Sequence, residues 1–133
     1  MPPDDPPEQR PDDRRPRSVY GVGTEPDPRF SMANERTALA WVRTSLAFVA
    51  GGVGLTSVAH LAGMSSTFLD VVAAALCLLG AVLAVSAVLG WQRRESAMRL
   101  DRPLPAPVAL PWLGLVVTVA ALALAAYVLG VVR

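Results

Sequence analysis

Two arginines, Arg36 and Arg43, stand at the start of a long apolar stretch, where charged residues are rare. On a helix they share one face and lie two turns apart, roughly 10 Å along the axis. Each guanidinium can form paired hydrogen bonds with a phosphate-like oxyanion. The whole face, positions 36, 40, 43, 47, 50 and 54, reads Arg, Ala, Arg, Ala, Ala and Gly. This pattern predicts close helix packing with the arginines turned inward, where they bind or conduct anions.

The same arginines also suit a structural role. Arg43 is close enough to a membrane surface to extend its charged end into water. It could instead pair with a carboxylate of this or a neighbouring helix: Glu35, Glu95 or Asp101. The bulky residues of this segment, Leu39, Val42, Leu46, Val49 and Val53, are expected to face lipid on the other side of the helix.

A second arginine cluster follows the middle apolar segment and comprises Arg93, Arg94, Arg99 and Arg102. Near a membrane surface such a cluster attracts anionic lipid or a polyanion. The alternative is that these arginines serve only to keep their loop on one side of the membrane.

Residue sets typical of catalysis do not occur in this sequence. It has no paired carboxylates, serine–histidine arrangement, phosphate-binding glycine loop or metal-ligand spacing. A lone cysteine, Cys77, excludes an intrachain disulfide and a multi-cysteine metal site. We therefore expect a protein that is not an enzyme and has no cofactor.

Composition indicates a membrane protein. The 133 residues include 12 arginines, no lysine and 11 acidic residues, for a net charge of +1. Apolar residues make up 53% of the chain and charged residues 17%, below the roughly 25% usual for a soluble domain. The charges concentrate in the first 43 positions and in residues 92–102, which leaves three long uncharged segments. With so little net positive charge, a nucleic acid partner is not expected.

The uncharged segments predict three transmembrane helices, at about residues 38–62, 69–91 and 108–132, each long enough to cross a hydrocarbon core of roughly 30 Å. Ser31 or Asn34 is a candidate start for the first helix. Residues 1–29 contain eight prolines among mixed charges, which predicts a disordered tail ahead of a membrane domain at 30–133. Residues 92–102 are expected to extend the second helix out of the bilayer until prolines end it.

Arginine placement predicts the orientation. Arginines occur before the first segment and between the second and third, and none lies between the first and second. By the positive-inside rule the N-terminus and second loop are cytoplasmic and the C-terminus lies outside. Trp41, Trp91 and Trp112 then lie at the cytoplasmic interface. Small residues at Gly51, Gly52, Gly54, Gly80 and Ala84 favour close helix contacts and self-association.

The run Asn34-Glu35-Arg36-Thr37, with Leu39-Ala40-Trp41 and Arg43-Thr44-Ser45-Leu46, resembles the opening of the YidH-type family of small bacterial inner-membrane proteins, a domain of unknown function. A related motif occurs in the membrane domain of the vacuolar transporter chaperone complex, which makes and translocates polyphosphate. That resemblance implies a ring of three-helix subunits, five in number, around a polyphosphate path. It makes Arg36, Arg43 and Arg94 candidate anion contacts, and Asn34, Glu35, Thr37 and Trp41 motif residues with a structural role.

Together these patterns predict an all-α, multi-pass, homo-oligomeric protein of the bacterial inner membrane that binds or conducts anions through an arginine-lined cytoplasmic face. The alternative is a non-conducting scaffold that acts through its proline-rich tail and second loop.

Overall fold

The computed structural model describes residues 13–64, 66–106 and 109–131. Within these ranges the secondary structure is entirely helical, which confirms the all-α prediction. The elements are α1 (Arg17–Tyr20), α2 (Pro28–Leu61), α3 (Thr67–Arg99) and α4 (Ala109–Val131). Each predicted span falls on one helix, and α3 continues past the apolar segment as expected. The ends of the third span, residues 108 and 132, lie outside the described residues.

The start of α2 differs from the prediction. The carboxylate of Asp27 accepts a hydrogen bond from the backbone N–H of Arg29 at 2.9 Å, and Pro28 occupies the first helical position. Proline suits that position because its missing N–H would have had no helical partner there. The prediction of Ser31 or Asn34 as the helix start was therefore wrong, and both residues lie inside the helix.

A tight turn joins α2 to α3. Gly63 has a φ of +65°, a left-handed conformation that favours glycine. The N–H of Met64 then reaches back to the carbonyl of Ala59 at 2.9 Å. On the far side of the turn the hydroxyl of Ser66 accepts from the N–H of Leu69 at 3.3 Å and begins α3. The turn makes α2 and α3 an antiparallel hairpin.

The hairpin packs along a seam of small residues. On α2 the buried positions include Ser45, Gly52 and Ala59, and on α3 they include Ala73, Gly80 and Ala87. Both sets repeat every seven residues, the spacing that keeps one side of each helix against the other. A Cβ atom at Gly52 would lie 2.7 Å from the carbonyl oxygen of Ala73, and one at Gly80 2.7 Å from that of Ser45. The two backbones therefore approach closely because these positions have no side chain.

Two other glycines of α2, Gly51 and Gly54, lie outside this seam. A Cβ at Gly51 or Gly54 would meet nothing within 4 Å among the described residues. Val49, which was expected to face lipid, instead lies against Gly80. Thus of the small residues predicted to make helix contacts, Gly52 and Gly80 do so within one chain.

Part of the segment predicted as a disordered tail, residues 1–29, contacts α3 in the structure. Helix α1 packs on α3, and Val19 is 1% exposed. The prediction considered the composition of this segment alone and not its contact with α3, which is distant in the chain. Residues 1–12 lie outside the described part of the chain.

Apolar side chains cover the outside of the long helices. Both α2 and α3 are long and apolar enough to cross a membrane, and few of their residues are buried. In α4 the apolar stretch over the described side chains is Leu110–Leu122, which is shorter than those of α2 and α3. The third transmembrane span therefore stays a prediction. Large exposed apolar residues of α4 are Leu110, Trp112, Leu115, Val116, Val117, Val119, Leu122 and Leu129. So large an apolar surface requires lipid or a partner to cover it.

Candidate functional site

A buried polar cluster joins the start of α2 to the end of α3. Ser31 and Asn34 are one helical turn apart on α2, so both side chains point to the same side. Glu95 and Arg99 are likewise one turn apart on α3. Because the helices are antiparallel, these two pairs meet at one end of the hairpin. We call Ser31, Asn34, Arg94, Glu95 and Arg99 the Asn34–Glu95 cluster.

Glu95 is the central acceptor of this cluster. Its carboxylate accepts one hydrogen bond from the hydroxyl of Ser31 at 2.7 Å and one from the amide Nδ2 of Asn34 at 3.1 Å. The Nε atom of Arg99 lies 3.8 Å from Glu95 Oε1. Glu95 is 3% exposed and Arg99 is 4% exposed, so this ion pair is almost completely removed from water. These partners compensate the carboxylate of Glu95, whereas Nε of Arg99 is buried without a hydrogen-bond partner in the described part of the chain.

Asn34 uses both ends of its amide group. Its Nδ2 donates to the backbone carbonyl of Trp91 at 3.1 Å as well as to Glu95. Its Oδ1 accepts from Nε of Arg94 at 3.0 Å. An amide provides two donor hydrogens and an acceptor in one planar group, whereas a hydroxyl provides one donor hydrogen and an ionised carboxylate none. The first residue of the sequence motif therefore links α2 to three residues of α3.

The segment before α2 covers this cluster. Two guanidinium groups lie over the ring of Tyr20, that of Arg99 at 4.8 Å from the ring centroid and that of Arg14 at 4.7 Å. Tyr20 also contacts Trp91, with ring centroids 6.4 Å apart. The N–H of Thr24 donates to the carbonyl of Arg99 at 3.0 Å. We call residues 14–25 the strap.

Gly23 allows the strap to pass close to α3. Its φ is +62°, and a Cβ on it would lie 1.8 Å from the carbonyl oxygen of Arg99, a distance at which atoms overlap. Only glycine has both the conformation and the space for this approach. The strap thereby completes the cover over Arg99.

The three arginines singled out from the sequence do not form one site within a single chain. Arg36 and Arg43 are exposed. Successive helical residues are about 100° apart, so Arg36 lies on nearly the opposite side of α2 from Asn34, which faces α3. Arg94, half-buried, is bonded to Asn34 on the α3 side.

The structure also separates the other predicted residues. Of the carboxylates considered as partners for Arg43, Glu95 is engaged by Ser31, Asn34 and Arg99. Glu35 is exposed. Thr37 is exposed, and its hydroxyl donates to the carbonyl of Ala33 on its own helix. Trp41 is half-buried beside a groove described below.

The roles of three residues were not predicted from the sequence. Ser31 and Arg99 are partners of Glu95, and Tyr20 lies against Arg99. The spacing of Ser31 to Asn34 and of Glu95 to Arg99 is visible in the sequence and indicates two one-turn pairs. Nothing in the sequence shows that these pairs meet, because they are more than 60 residues apart.

A groove lies at the same end of the molecule and shares Arg94 with the Asn34–Glu95 cluster. Its volume is about 510 Å³, and it opens between α3 and the first turns of α4. Its lining combines two arginines, two tryptophans and apolar or small residues: Trp41, Ser86, Ala87, Leu89, Gly90, Arg93, Arg94, Pro105, Ala106, Leu110 and Trp112. In the described part of the chain, no group of three or more His, Cys, Asp or Glu residues could hold a metal ion.

Comparison with known proteins finds one family and several relatives. The family described as Domain of unknown function (DUF202) matches residues 29–97. Inner membrane protein YidH of Escherichia coli (strain K12) is 43% identical over 103 residues, which cover 77% of this chain and 89% of YidH. An uncharacterised protein of Mycobacterium tuberculosis (strain ATCC 25618 / H37Rv) is 38% identical over 81 residues, which cover 61% of this chain and 66% of that protein. No solved structure gives a significant match.

Proposed function

Because the chain belongs to the DUF202 family, as its resemblance to YidH-type proteins predicted, we propose that it is an inner-membrane protein that assembles into a homo-oligomer and binds anions. Its three apolar helices cross the membrane, with the N-terminus and the loop after α3 in the cytoplasm. The location follows the name of YidH, and the orientation follows the positive-inside rule.

The uncovered face of α2 supports assembly. Positions 36, 40, 43, 47, 50 and 54 are all exposed and lie away from α3. Within a membrane, small residues on an uncovered face allow another helix to approach closely, as Gly52 and Gly80 do inside the hairpin. This face is therefore the surface on which a second copy packs.

The same face supports anion binding. Arg36 and Arg43 would bring two guanidinium groups from every copy into the shared interface, where like charges repel each other. A phosphate-like or polyphosphate anion would compensate these charges through paired hydrogen bonds. A ring of copies around a central path is the arrangement that the polyphosphate-complex resemblance implies.

Native mass spectrometry of the full chain in detergent tests assembly. We expect one oligomeric species for the wild type and a lower-order species for Ala47→Leu, which places bulk on the proposed contact face. Ala75→Leu makes the same change at an exposed position of α3 and is expected to leave the oligomer intact. A monomeric wild type, or equal behaviour of the two variants, would contradict the proposed contact.

Anion binding is measured separately, as the rise in melting temperature caused by tripolyphosphate at low salt. Arg36→Gln/Arg43→Gln is expected to abolish this rise, whereas Arg102→Gln, an exposed arginine elsewhere, preserves it. If the protein is oligomeric but tripolyphosphate does not raise its melting temperature, the result would support assembly and contradict anion binding. The non-conducting scaffold would then be the remaining function. Flux of the same anion into proteoliposomes then distinguishes binding from conduction.

A further inference from the structure

The groove beside α3 has a charged end and an apolar end. Arg93 and Arg94 line one end, and Ser86 and Leu89 lie one to two turns further along α3. Seven residues of helix correspond to about 10 Å, so the lining changes from cationic to uncharged within about that distance along α3. Leu110 of α4 is a further apolar residue of the lining.

The charged end has no compensating carboxylate among the lining residues. Arg93 is exposed, and Arg94 is positioned by the hydrogen bond from its Nε to Asn34. A Cβ on Gly90 would lie 3.2 Å from Nη2 of Arg94, which places that nitrogen beside Gly90 in the groove. Two guanidinium groups at one opening are complementary to a phosphate group.

Two tryptophans lie along the groove. Trp41 comes from α2 and Trp112 from the second turn of α4, and indole rings concentrate where a bilayer meets water. Their position indicates that the cationic end lies at headgroup level and the apolar end in the hydrocarbon.

We propose that this groove binds one anionic phospholipid, with its phosphate on Arg93 and Arg94 and an acyl chain along Leu89 and Leu110. A free phosphate would use the arginines and leave the apolar half unfilled. The volume of about 510 Å³ accommodates a headgroup and the first part of a chain. This binding site is separate from the proposed anion site at Arg36 and Arg43.

Native mass spectrometry of the full chain in detergent with added lipid tests the proposal. We expect retention of phosphatidylglycerol in preference to phosphatidylcholine. Arg93→Gln is expected to weaken phosphatidylglycerol retention about fivefold, the effect of one arginine at an anionic surface. Arg102→Gln is the matched control, because Arg102 is exposed just beyond the end of α3 and does not line the groove. Gly90→Leu, which fills the groove, is expected to reduce retention further.

Three results would overturn the proposal: equal retention of the two lipids, an equal loss in Arg93→Gln and Arg102→Gln, or full competition by inorganic phosphate. The last would indicate an anion site without a lipid. Arg36→Gln/Arg43→Gln is expected to retain phosphatidylglycerol normally, so failure of the lipid site and failure of the proposed anion site are distinguishable.

Discussion

Helices α2 and α3 are joined in two different ways along one hairpin. At the Asn34–Glu95 cluster the contact consists of hydrogen bonds from Ser31 and Asn34 of α2 to Glu95 of α3, which also lies beside Arg99 of its own helix. Around Gly52 and Gly80 it consists of backbone placed directly against backbone or small side chains. The first contact requires particular polar side chains. The second requires that Gly52 and Gly80 have no side chain.

This difference determines which substitutions each contact tolerates. In the cluster, removal of one partner leaves the others buried without compensation. At the glycines, any added atom must displace the neighbouring helix. Together they set the register of α2 on α3, the cluster by chemical pairing and the glycines by shape.

The largest expected effect is at Glu95. Glu95→Ala removes the carboxylate that compensates Arg99 and accepts from Ser31 and Asn34, and loss of one partner of a buried ion pair costs about 3–5 kcal/mol. We expect a large fall in melting temperature in detergent. Glu35→Ala, which removes an exposed carboxylate of α2, is the control and should change stability little. Equal effects would show that the cluster does not hold the hairpin.

A smaller effect is expected at Gly52. In Gly52→Ala the new methyl group meets the Ala73 carbonyl and the sulfur of Cys77, and overpacking of this kind costs about 1–3 kcal/mol. The neighbouring Gly51→Ala adds the same methyl group in open space. Thermal unfolding of the two variants compares them directly, and a Gly52 variant as stable as the Gly51 variant would contradict the close contact.

The smallest effect is expected at the strap. Gly23→Ala places a side chain in a left-handed conformation against the Arg99 carbonyl, at a conformational cost of about 1 kcal/mol before the overlap is counted. We expect faster hydrogen exchange in residues 14–25 with little change in α2. Ser18→Ala, whose side chain is exposed, should leave exchange unchanged. Exchange that rises equally along α2 and the strap would show that the strap is not a separate unit.

Much of the fold is predictable from the sequence because segments in hydrocarbon are apolar and segments in water carry charges, and these differences extend over long stretches. Uncharged segments of about 20 residues predict α2 and α3, since a helix satisfies its own backbone hydrogen bonds in hydrocarbon. The start of α2 was missed because Asp27 and Pro28 form a cap one turn before the first polar residue considered. The strap was missed because Val19 and Tyr20 are stabilised by α3, which is distant in the chain.

The candidate site was less predictable. The sequence motif includes Asn34, and the residues of the motif lie in the region that the family matches. It did not show that Asn34 faces inward and Arg36 outward, because that depends on which side of α2 meets α3. Glu95 was considered as a partner for Arg43, whereas in the structure Arg99 on its own helix lies beside it.

The sequence by itself determined where the long helices occur and that their outer surface is apolar, because those properties follow from local composition and helical periodicity. Only the tertiary structure decided which polar residues are buried together. Ser31 and Asn34 meet Glu95 across 64 and 61 residues because the turn at Gly63 and the contacts at Gly52 and Gly80 set one register between the helices. A shift of that register would separate the same residues without changing either helix.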